Sequence, residues 1–456
     1  MKSSKLVSKN QKPMKNNLKN NIRYSFVALS GLLLAGGMMS CSETDADKDK
    51  GATPVIKYAR MCDIETADSL VVSASLGTRL AFVGDNLGDV QQIWFNDQKA
   101  KLNPTMVTSH TIIVDIPNVI PGEVTNKARF ITSSGITTEY PFNVSVPAPR
   151  VDAMSCEYAH AGSVVTLTGA YFADDPNVPL TVTFPGNVPA EIRSIEQETL
   201  QVVVPEGAEE GVITVSSIYG DGLSSFHYLD TRGMMFDFDG LTGLGNHGWH
   251  NVPIENDGTG ISGNYIRLGD GATTLAGADA WDDGNFSFEY WAGSWNTPTD
   301  YPEREGVRLF DIVDFSDYNN MSLKFELCIP ENAAWQSCAM QLIFAGTDKV
   351  SMGNAGTDIF GNTVAGANNN YLQTTMARGL WTPWTINEAY HTGGEWITVS
   401  LPIKDFVYAP DGSGATSFLG SASDFASFQI FLWNGGVTGV DCTPMLKIDN
   451  IRAVKN

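Results

Sequence analysis

Basic residues are scarce in most of this 456-residue chain. All seven Lys and Arg of the first 41 positions precede a hydrophobic run, and from position 42 onward 22 basic residues face 51 acidic ones. A surface this acidic repels phosphate backbones, so nucleic acid is excluded as a favoured partner. The apolar run at 26–39 is also shorter than the roughly 20 residues that a bilayer-spanning helix needs.

Cysteine is sparse as well, and the chain has no CxxC pair and no Cys/His cluster of the kind that holds zinc. Five cysteines follow Cys41, so at least one stays free or pairs between chains. Cys328 and Cys338 are close enough in sequence to bridge a hairpin, or they remain buried thiols. The nucleophile-elbow, metalloprotease and phosphate-loop motifs are absent too, which removes the common sequence signatures of catalysis.

The N-terminal segment 1–41 reads as a secretory signal, because a basic flank precedes a short apolar run. The run ends in small residues leading to Cys41 and resembles a bacterial lipobox, which implies a lipid-anchored mature N-terminus at Cys41. An ordinary signal peptide with an incidental cysteine is the alternative. The polar stretch 42–53 is expected to be a flexible acidic tether, and it resembles the signal that places Bacteroidetes lipoproteins on the outer face of the outer membrane.

An internal repeat sets the architecture of the middle of the chain. The segment 77–87 (GTRLAFVGDNL) matches 162–172 (GSVVTLTGAYF), and 111–117 matches 199–205. Apolar runs of four to seven residues, rich in Val, Ile, Thr and Phe and punctuated by Gly and Pro, predict β-strands. The pattern resembles the IPT/TIG group of immunoglobulin-like folds and predicts two such domains, at 54–147 and 148–230, with the glycines and prolines at turns and strand ends.

From about position 231 the character of the sequence changes. Nine of the ten tryptophans lie between 249 and 433, and alternating strands are separated by turn dipeptides such as Asn434-Gly435. These features predict a β-sandwich of the jelly-roll type over 231–456. The fold class is therefore all-β, with tandem Ig-like sandwiches followed by a C-terminal sandwich. Because a sandwich buries its own core, 231–456 is expected to fold and bind alone.

The segments 394–406 (GEWITVSLPIKDF) and 446–452 (LKIDNIR) resemble strands of jelly-roll carbohydrate-binding modules. A lipoprotein leader, Ig-like repeats and an aromatic sandwich together resemble the surface glycan-binding proteins of Bacteroidetes polysaccharide utilisation loci, in particular the B group that binds xyloglucan. The resemblance implies a cell-surface protein that binds a plant β-glucan, such as xyloglucan or mixed-linkage glucan, without cleaving it. It also implies an outer-membrane glycan importer and its SusD-like protein as partners.

Aromatic side chains in loop contexts are the candidate binding residues, because a flat ring packs against the C–H face of a pyranose. Six rings lie in stretches without strand alternation and are expected to face a glycan: Trp291, Trp295, Trp335, Tyr371, Trp381 and Trp384. Trp396 and Trp433 lie inside alternating strands and are expected in the core. For Trp384, which follows a proline, an inward position is equally compatible with the sequence.

Two other functions remain open from the residues alone. A glycoside hydrolase needs two carboxylates roughly 5–10 Å apart, and five acids lie near the aromatic loops, although their spacing selects no pair: Glu289, Asp300, Glu303, Glu305 and Glu388. A surface adhesin would bind a protein through its last domain and use the Ig-like repeats as spacers. No cofactor is expected, although Asp237, Asp239 and Asp449 are oxygen ligands of the type that a structural Ca²⁺ takes.

Overall fold

Short β-strands joined by turns make up most of the structure, a computed structural model that describes residues 44–63, 65, 69–248, 250–278, 281–291, 307–346 and 377–456. The buried side chains form three hydrophobic clusters, one for each predicted sandwich. The helices of the described residues are short: α1 (Asp45–Asp49), α2 (Asp283–Phe286) and single 3₁₀ turns at Pro104–Met106, Leu309–Asp311, Tyr318–Asn320, Glu331–Ala333, Ile403–Asp405 and Ala422–Asp424. The all-β prediction is confirmed.

The first sandwich contains two four-stranded antiparallel sheets, in the orders β2-β1-β4-β7 and β6-β5-β8-β9, and a short parallel pair β3-β10. Its strands are β1 (Val55–Met61), β2 (Leu70–Val71), β3 (Ser73–Ser75), β4 (Arg79–Asp85), β5 (Val90–Phe95), β6 (Gln98–Lys99), β7 (Thr111–Asp115), β8 (Lys127–Thr132), β9 (Thr137–Pro141) and β10 (Asn143–Ser145). Four aromatic rings, Phe82, Phe95, Phe130 and Phe142, pack between the two main sheets.

The second sandwich has the sheet orders β11-β12-β16-β15 and β14-β13-β17-β18. Its strands are β11 (Arg150–Met154), β12 (Val164–Ala170), β13 (Thr181–Phe184), β14 (Val188–Pro189), β15 (Glu191–Ile195), β16 (Thr199–Val203), β17 (Thr214–Ser217) and β18 (Gly220–Leu223). The repeat seen in the sequence therefore corresponds to β4 and β12, each paired with a first strand that carries a β-bulge.

The repeated glycines Gly84 and Gly169 lie within strands, which corrects their assignment to turns and strand ends. Each faces the bulged first strand at very close range. A Cβ atom would lie 1.9 Å from the carbonyl oxygen of Val55 at Gly84, and 1.8 Å from that of Arg150 at Gly169. Only glycine allows this approach of two backbones, so the repeat preserves a packing requirement in both sandwiches.

The third sandwich pairs a sheet of order β20-β21-β28-β23-β26, to which β19 adds along β28, with a sheet of order β22-β27-β24-β25. All its described strand pairs are antiparallel. Its strands are β19 (Met234–Phe236), β20 (Ile254–Glu255), β21 (Tyr265–Leu268), β22 (Ser287–Tyr290), β23 (Met321–Cys328), β24 (Met340–Ala345), β25 (Gly379–Trp381), β26 (Ile397–Pro402), β27 (Ser427–Leu432) and β28 (Leu446–Lys455).

Part of the acidic segment after Cys41 is folded. Residues Asp45–Asp49 form α1, and two of its carboxylates accept backbone hydrogen bonds from the first sandwich. Asp49 accepts from the amide of Gly88 at 2.8 Å, and Asp45 accepts from that of Ser109 at 3.2 Å. The prediction of a flexible tether is therefore wrong for this helix, because its acids satisfy loop amides that would otherwise need water.

A buried ion cluster joins the second sandwich to the third. Glu157 of the second sandwich lies 2.7 Å from Arg452 and 2.6 Å from Lys324, and Arg452 also binds Glu326 at 2.8 Å. All four residues are at most 8% exposed. Burial raises the pKa of Glu326, although the charge of Arg452 opposes this effect. Burial alone would lower the pKa of Arg452, but the charges of Glu326 and Glu157 raise it.

Apolar contacts surround this ion cluster and cross the predicted boundary at 230. Ile261 of the third sandwich lies in the hydrophobic cluster of the second, and Trp396 packs against it. The Tyr158 hydroxyl donates to the carbonyl of Asp230 at 2.6 Å, and the Arg452 guanidinium lies 5.0 Å from the centre of the Tyr158 ring. The two sandwiches thus share buried surface and charge, so 231–456 does not bury all of its own core.

The cysteines of the described residues are free thiols, and Cys156, Cys328 and Cys338 are buried. Burial raises the pKa of Cys156 to about 12 and also raises that of Cys328. Thiols of this kind behave as small hydrophobic groups and are unreactive. In the described part of the chain, every helix is too short or too polar to cross a membrane.

Candidate functional site

The β22-β27-β24-β25 sheet has one apolar face and one polar face. Phe288, Leu342 and Ile430 are neighbours across the strands and point into the core. The opposite face carries Glu289 and Gln429, which pair across β22 and β27 and are at most 5% exposed. Because both faces of the sheet are covered, its polar side chains lie in a low-dielectric environment. The hydrogen bonds that they make there are strong.

Arg378 and Gln341 form a buried relay on this polar face. Arg378 Nη1 donates to Gln341 Oε1 at 2.7 Å, and Gln341 Nε2 donates to the carbonyl oxygen of Trp433 at 2.6 Å and to that of Pro410 at 3.2 Å. Burial lowers the pKa of Arg378 to about 9. The relay therefore fixes the backbone at the end of β27, where Trp433 leaves the sheet.

A group of three aromatic rings, the aromatic cluster of Trp281, Phe431 and Trp433, lies at this end of the sheet. Phe431 and Trp433 are stacked, with ring centres 5.7 Å apart and an angle of 23° between their planes. Trp281 stands nearly perpendicular to both, at 89° and 4.9 Å from Phe431 and at 79° and 5.1 Å from Trp433. Trp281 is 45% exposed, so a large apolar ring is braced by two others and offered to solvent.

The turn after β27 holds Trp433 in place. Asn434 has a φ of 44°, and its side chain accepts from the amide of Gly436 at 3.0 Å. At Gly435, with a φ of 81°, a Cβ atom would lie 2.3 Å from the Cβ of Ala339 on the neighbouring strand. The Asn-Gly signal of the sequence is thus a tight turn with no space for a side chain, which leaves the indole of Trp433 little freedom to move.

Three of the predicted binding tryptophans are buried, so the prediction that they face a glycan is wrong. Trp335 is fully buried, and its Nε1 donates to the carbonyl of Ser337. Trp384 is 7% exposed, and its Nε1 donates to the carbonyl of Cys338 at 3.0 Å. Trp291, directly after β22, is 2% exposed. Trp335 and Trp384 lie in irregular segments between strands, and Trp291 directly follows a strand, so strand alternation alone does not reveal their burial.

Trp381 is half-buried, with its ring edge-on to Phe325 at 6.2 Å and to Tyr390 at 5.7 Å. It also contacts the buried Trp335, so most of its surface serves packing. Its role in binding stays a prediction. Trp295, Tyr371 and the lipidation candidate Cys41 lie outside the described residues.

The residues expected in the core also differ from the prediction. Trp396 and Trp433 are half-buried, because each lies at or just beyond a strand end where the alternating face reaches the surface. Trp281 was not predicted as a site residue at all. The sequence feature that could have predicted the exposure of Trp281 is the pair of acidic residues after it, Asp282 and Asp283. A hydrophobic residue next to charged residues is seldom buried in a core.

The carboxylates and metal candidates are dispersed. Glu289 is buried and accepts from the Ser287 hydroxyl at 3.3 Å, and Glu388 lies at an exposed turn. Asp300, Glu303 and Glu305 lie outside the described residues. Asp237, Asp239 and Asp449 are absent from the three-residue groups within metal-binding reach in the described part of the chain, where Glu210, His227 and Asp230 form such a group.

The candidate calcium ligands already have protein partners. The Asp237 carboxylate accepts from the amides of Leu241 and Thr242. Asp449 accepts from the Ser262 hydroxyl and the Asn450 amide, both at 2.7 Å, and burial raises its pKa to about 8. These carboxyl groups are therefore already engaged by protein donors.

Comparison with known proteins identifies the third sandwich and the whole architecture. The family model described as "Surface glycan-binding protein B xyloglucan binding domain" matches residues 228–455. The crystal structure of surface glycan-binding protein B from Prevotella bryantii is 43% identical, with a TM-score of 0.80, and the match covers 88% of this chain and 99% of that chain.

A curated relative from Bacteroides ovatus, an "IPT/TIG domain-containing protein", is 29% identical over 217 residues. The match covers 43% of this chain and 43% of that relative, so the chain spans less than half the length of the relative. The IPT/TIG resemblance of the repeats agrees with that description. This chain belongs to the surface glycan-binding protein B family, whose members are non-catalytic proteins of the cell surface that bind glycans.

Proposed function

We propose that this protein captures a plant β-glucan at the cell surface, with the exposed indole of Trp281 and the neighbouring Trp433 as the main stacking surface. The observation that supports this site is the braced position of Trp281, 45% exposed, in a domain matched by a xyloglucan-binding family model. Stacking buries apolar area on both partners without requiring charge, which suits a neutral polysaccharide on an acidic protein.

The chemistry around the rings supports a saccharide. The Asp411-Gly412 and Asn434-Gly435 turns pack together beside Trp433, since the carbonyl oxygen of Gly435 lies within 2.4 Å of where a Cβ on Gly412 would be. Such turns present amide and carboxylate groups that hydrogen-bond sugar hydroxyls. Xyloglucan and mixed-linkage glucan are the preferred ligands, because their β-linked glucose rings expose broad C–H faces.

The same proposal includes the attachment of the protein and its partners. Cys41 carries the lipid that holds the protein on the outer face of the outer membrane, and an outer-membrane glycan importer with its SusD-like protein receives the bound glycan. The acidic segment after Cys41 and the absence of basic residues between 42 and 47 support export to the surface.

The experiment is a panel of soluble xyloglucan, mixed-linkage β-glucan, xylan and starch, read by retardation in glycan-containing gels and by assay of new reducing ends. We expect retardation by one of the β-glucans and no increase in reducing ends. Trp281→Ala should greatly reduce the retardation, whereas Trp94→Ala, a half-buried tryptophan of the first sandwich, is the matched control and should not change it. Normal retardation of Trp281→Ala would refute the placement of the site.

A further inference from the structure

A groove of about 460 Å³ lies between the second and third sandwiches, and none of the described residues that line it belongs to the aromatic cluster. Residues of both sandwiches line it, among them His160 and Ser163 on one side and Thr259, Glu395 and Trp396 on the other. The volume is within the range of about 300–1,000 Å³ typical of small-ligand sites, which occur preferentially where domains meet.

Contacts within the third sandwich and a contact between the two sandwiches hold the walls of the groove. Trp396 Nε1 donates to the carbonyl of Thr259 at 2.9 Å, and the edge of Tyr265 contacts the indole at 5.8 Å and 72°. On the opposite wall, His160 Nε2 is 2.5 Å from the carbonyl of Ile261, whose side chain is buried in the second sandwich. A ligand would therefore enter a pre-formed groove. Because few protein groups would have to become ordered on binding, little affinity would be lost to conformational entropy.

The lining selects the chemistry of the ligand. The half-buried Trp396 supplies an apolar surface, and the exposed side chains of Ser163 and Glu395 supply a hydroxyl and a carboxylate. Lysine and arginine are absent from the described residues that line the groove, and Lys447 beside it already donates to the Thr259 hydroxyl at 2.6 Å. The protein as a whole carries a formal charge of -22. Anions are therefore disfavoured, and a neutral ligand with an apolar face and many hydroxyls fits best.

We propose that this groove is a second saccharide subsite, in which one or two sugar rings lie against Trp396 and hydrogen-bond Glu395 and Ser163. The proposal rests on the proposed function, because it extends glycan binding from the aromatic cluster to the junction of the two sandwiches. The side chains of Glu395 and Ser163 make no hydrogen bond to other described residues, so both can bind a ligand.

The test uses the full mature chain and cellohexaose, with a mixed-linkage hexasaccharide in parallel. Calorimetry should give two binding events for the wild type. The variant Trp281→Ala,Trp433→Ala should keep one of them, and adding Ser163→Trp, which places a large ring in the groove, should remove it. Leu223→Trp, at a 62% exposed position of the second sandwich outside the groove, is the matched control and should change nothing.

The outcomes separate the two proposals. A single event in the wild type, lost in Trp281→Ala,Trp433→Ala and unchanged in Ser163→Trp, would overturn the groove and leave the proposed function standing. Binding lost in Ser163→Trp alone would support the groove and overturn the aromatic cluster as the main site. Residual binding that Ser163→Trp does not reduce would overturn the groove, and no binding by the wild type would overturn both.

Discussion

The exposed Trp281 and the buried Trp335 should respond to truncation in opposite ways. In Trp281→Ala we expect glycan binding to fall steeply while the fold changes little, because almost half of this ring is in contact with solvent rather than protein. In Trp335→Ala we expect the third sandwich to lose much of its stability, because the ring is fully buried beside Trp381 in the hydrophobic cluster.

The magnitudes follow from the contacts of each ring. Trp281 loses two perpendicular contacts, with Phe431 and Trp433, which contribute about 0.5–1.5 kcal/mol each. Trp335→Ala leaves a large cavity and should cost about 3–5 kcal/mol. At about 2–4 °C per kcal/mol for a domain of this size, the melting temperature should fall by roughly 6–20 °C in Trp335→Ala and by roughly 2–12 °C in Trp281→Ala.

The binding change in Trp281→Ala should be large relative to a weak starting affinity. An open glycan site with a Kd on the order of 10–100 µM has only about 5.5–7 kcal/mol of binding free energy. Losing one stacking ring of two should therefore raise the Kd by about tenfold or more. The assay is calorimetry with xyloglucan oligosaccharide beside a thermal melt of each variant. If Trp335→Ala melts like the wild type and loses binding, the reasoning from burial is refuted.

Three further predictions concern anchoring, the domain junction and pH. Cys41→Ala should move the protein from the membrane fraction to the soluble fraction, and a wild type already soluble in the periplasm would contradict the anchor. Glu157→Ala leaves Lys324 without its buried partner and Arg452 with Glu326 alone, so the free energy of unfolding should drop by about 3–5 kcal/mol in denaturant melts, and an unchanged midpoint would show that the cluster contributes little. The pKa of Asp449 is raised to about 8 in the folded protein, against about 4 in the unfolded chain, so its stabilising contribution is complete below about pH 4. As the pH rises from about 4 to about 8, this contribution is lost at about 1.4 kcal/mol per pH unit. Asp449→Asn should flatten the dependence of the unfolding free energy on pH, and parallel curves of this free energy for the variant and the wild type would contradict the shift.

The sequence predicted the Ig-like sandwiches well because the repeat reflects a packing constraint. The bulge opposite Gly84 recurs opposite Gly169, so the same strand pattern had to recur with it. The junction could not be predicted in this way. Ile261 and Trp396 lie in two separate segments whose sequences are typical of a turn and a strand. Only the fold shows that both residues contact the second sandwich. A boundary drawn from composition therefore separated residues that share one core.

The candidate site was harder to predict because loop sequences do not show which way a ring points. Trp335 follows a strand end in a polar context, yet its backbone pairs with Tyr390 and the chain turns inward. Trp433 follows a buried strand, yet the Asn434 turn directs the chain outward at that residue. Trp335 also donates its amide to Tyr390, and Trp433 donates its amide to Ala339, so each ring is placed by a backbone partner that is distant in sequence. Local alternation carries no information about such partners.

The buried ion cluster between the sandwiches has a mechanical consequence. A polysaccharide is far longer than this protein and exerts drag on whatever holds it at the cell surface. Because Arg452 and Glu326 belong to β28 and β23, in the middle of the larger sheet, and Glu157 belongs to the second sandwich, tension on the third sandwich reaches the second through buried ion pairs as well as through the chain itself. The peptide link near position 230 therefore shares the load with these ion pairs.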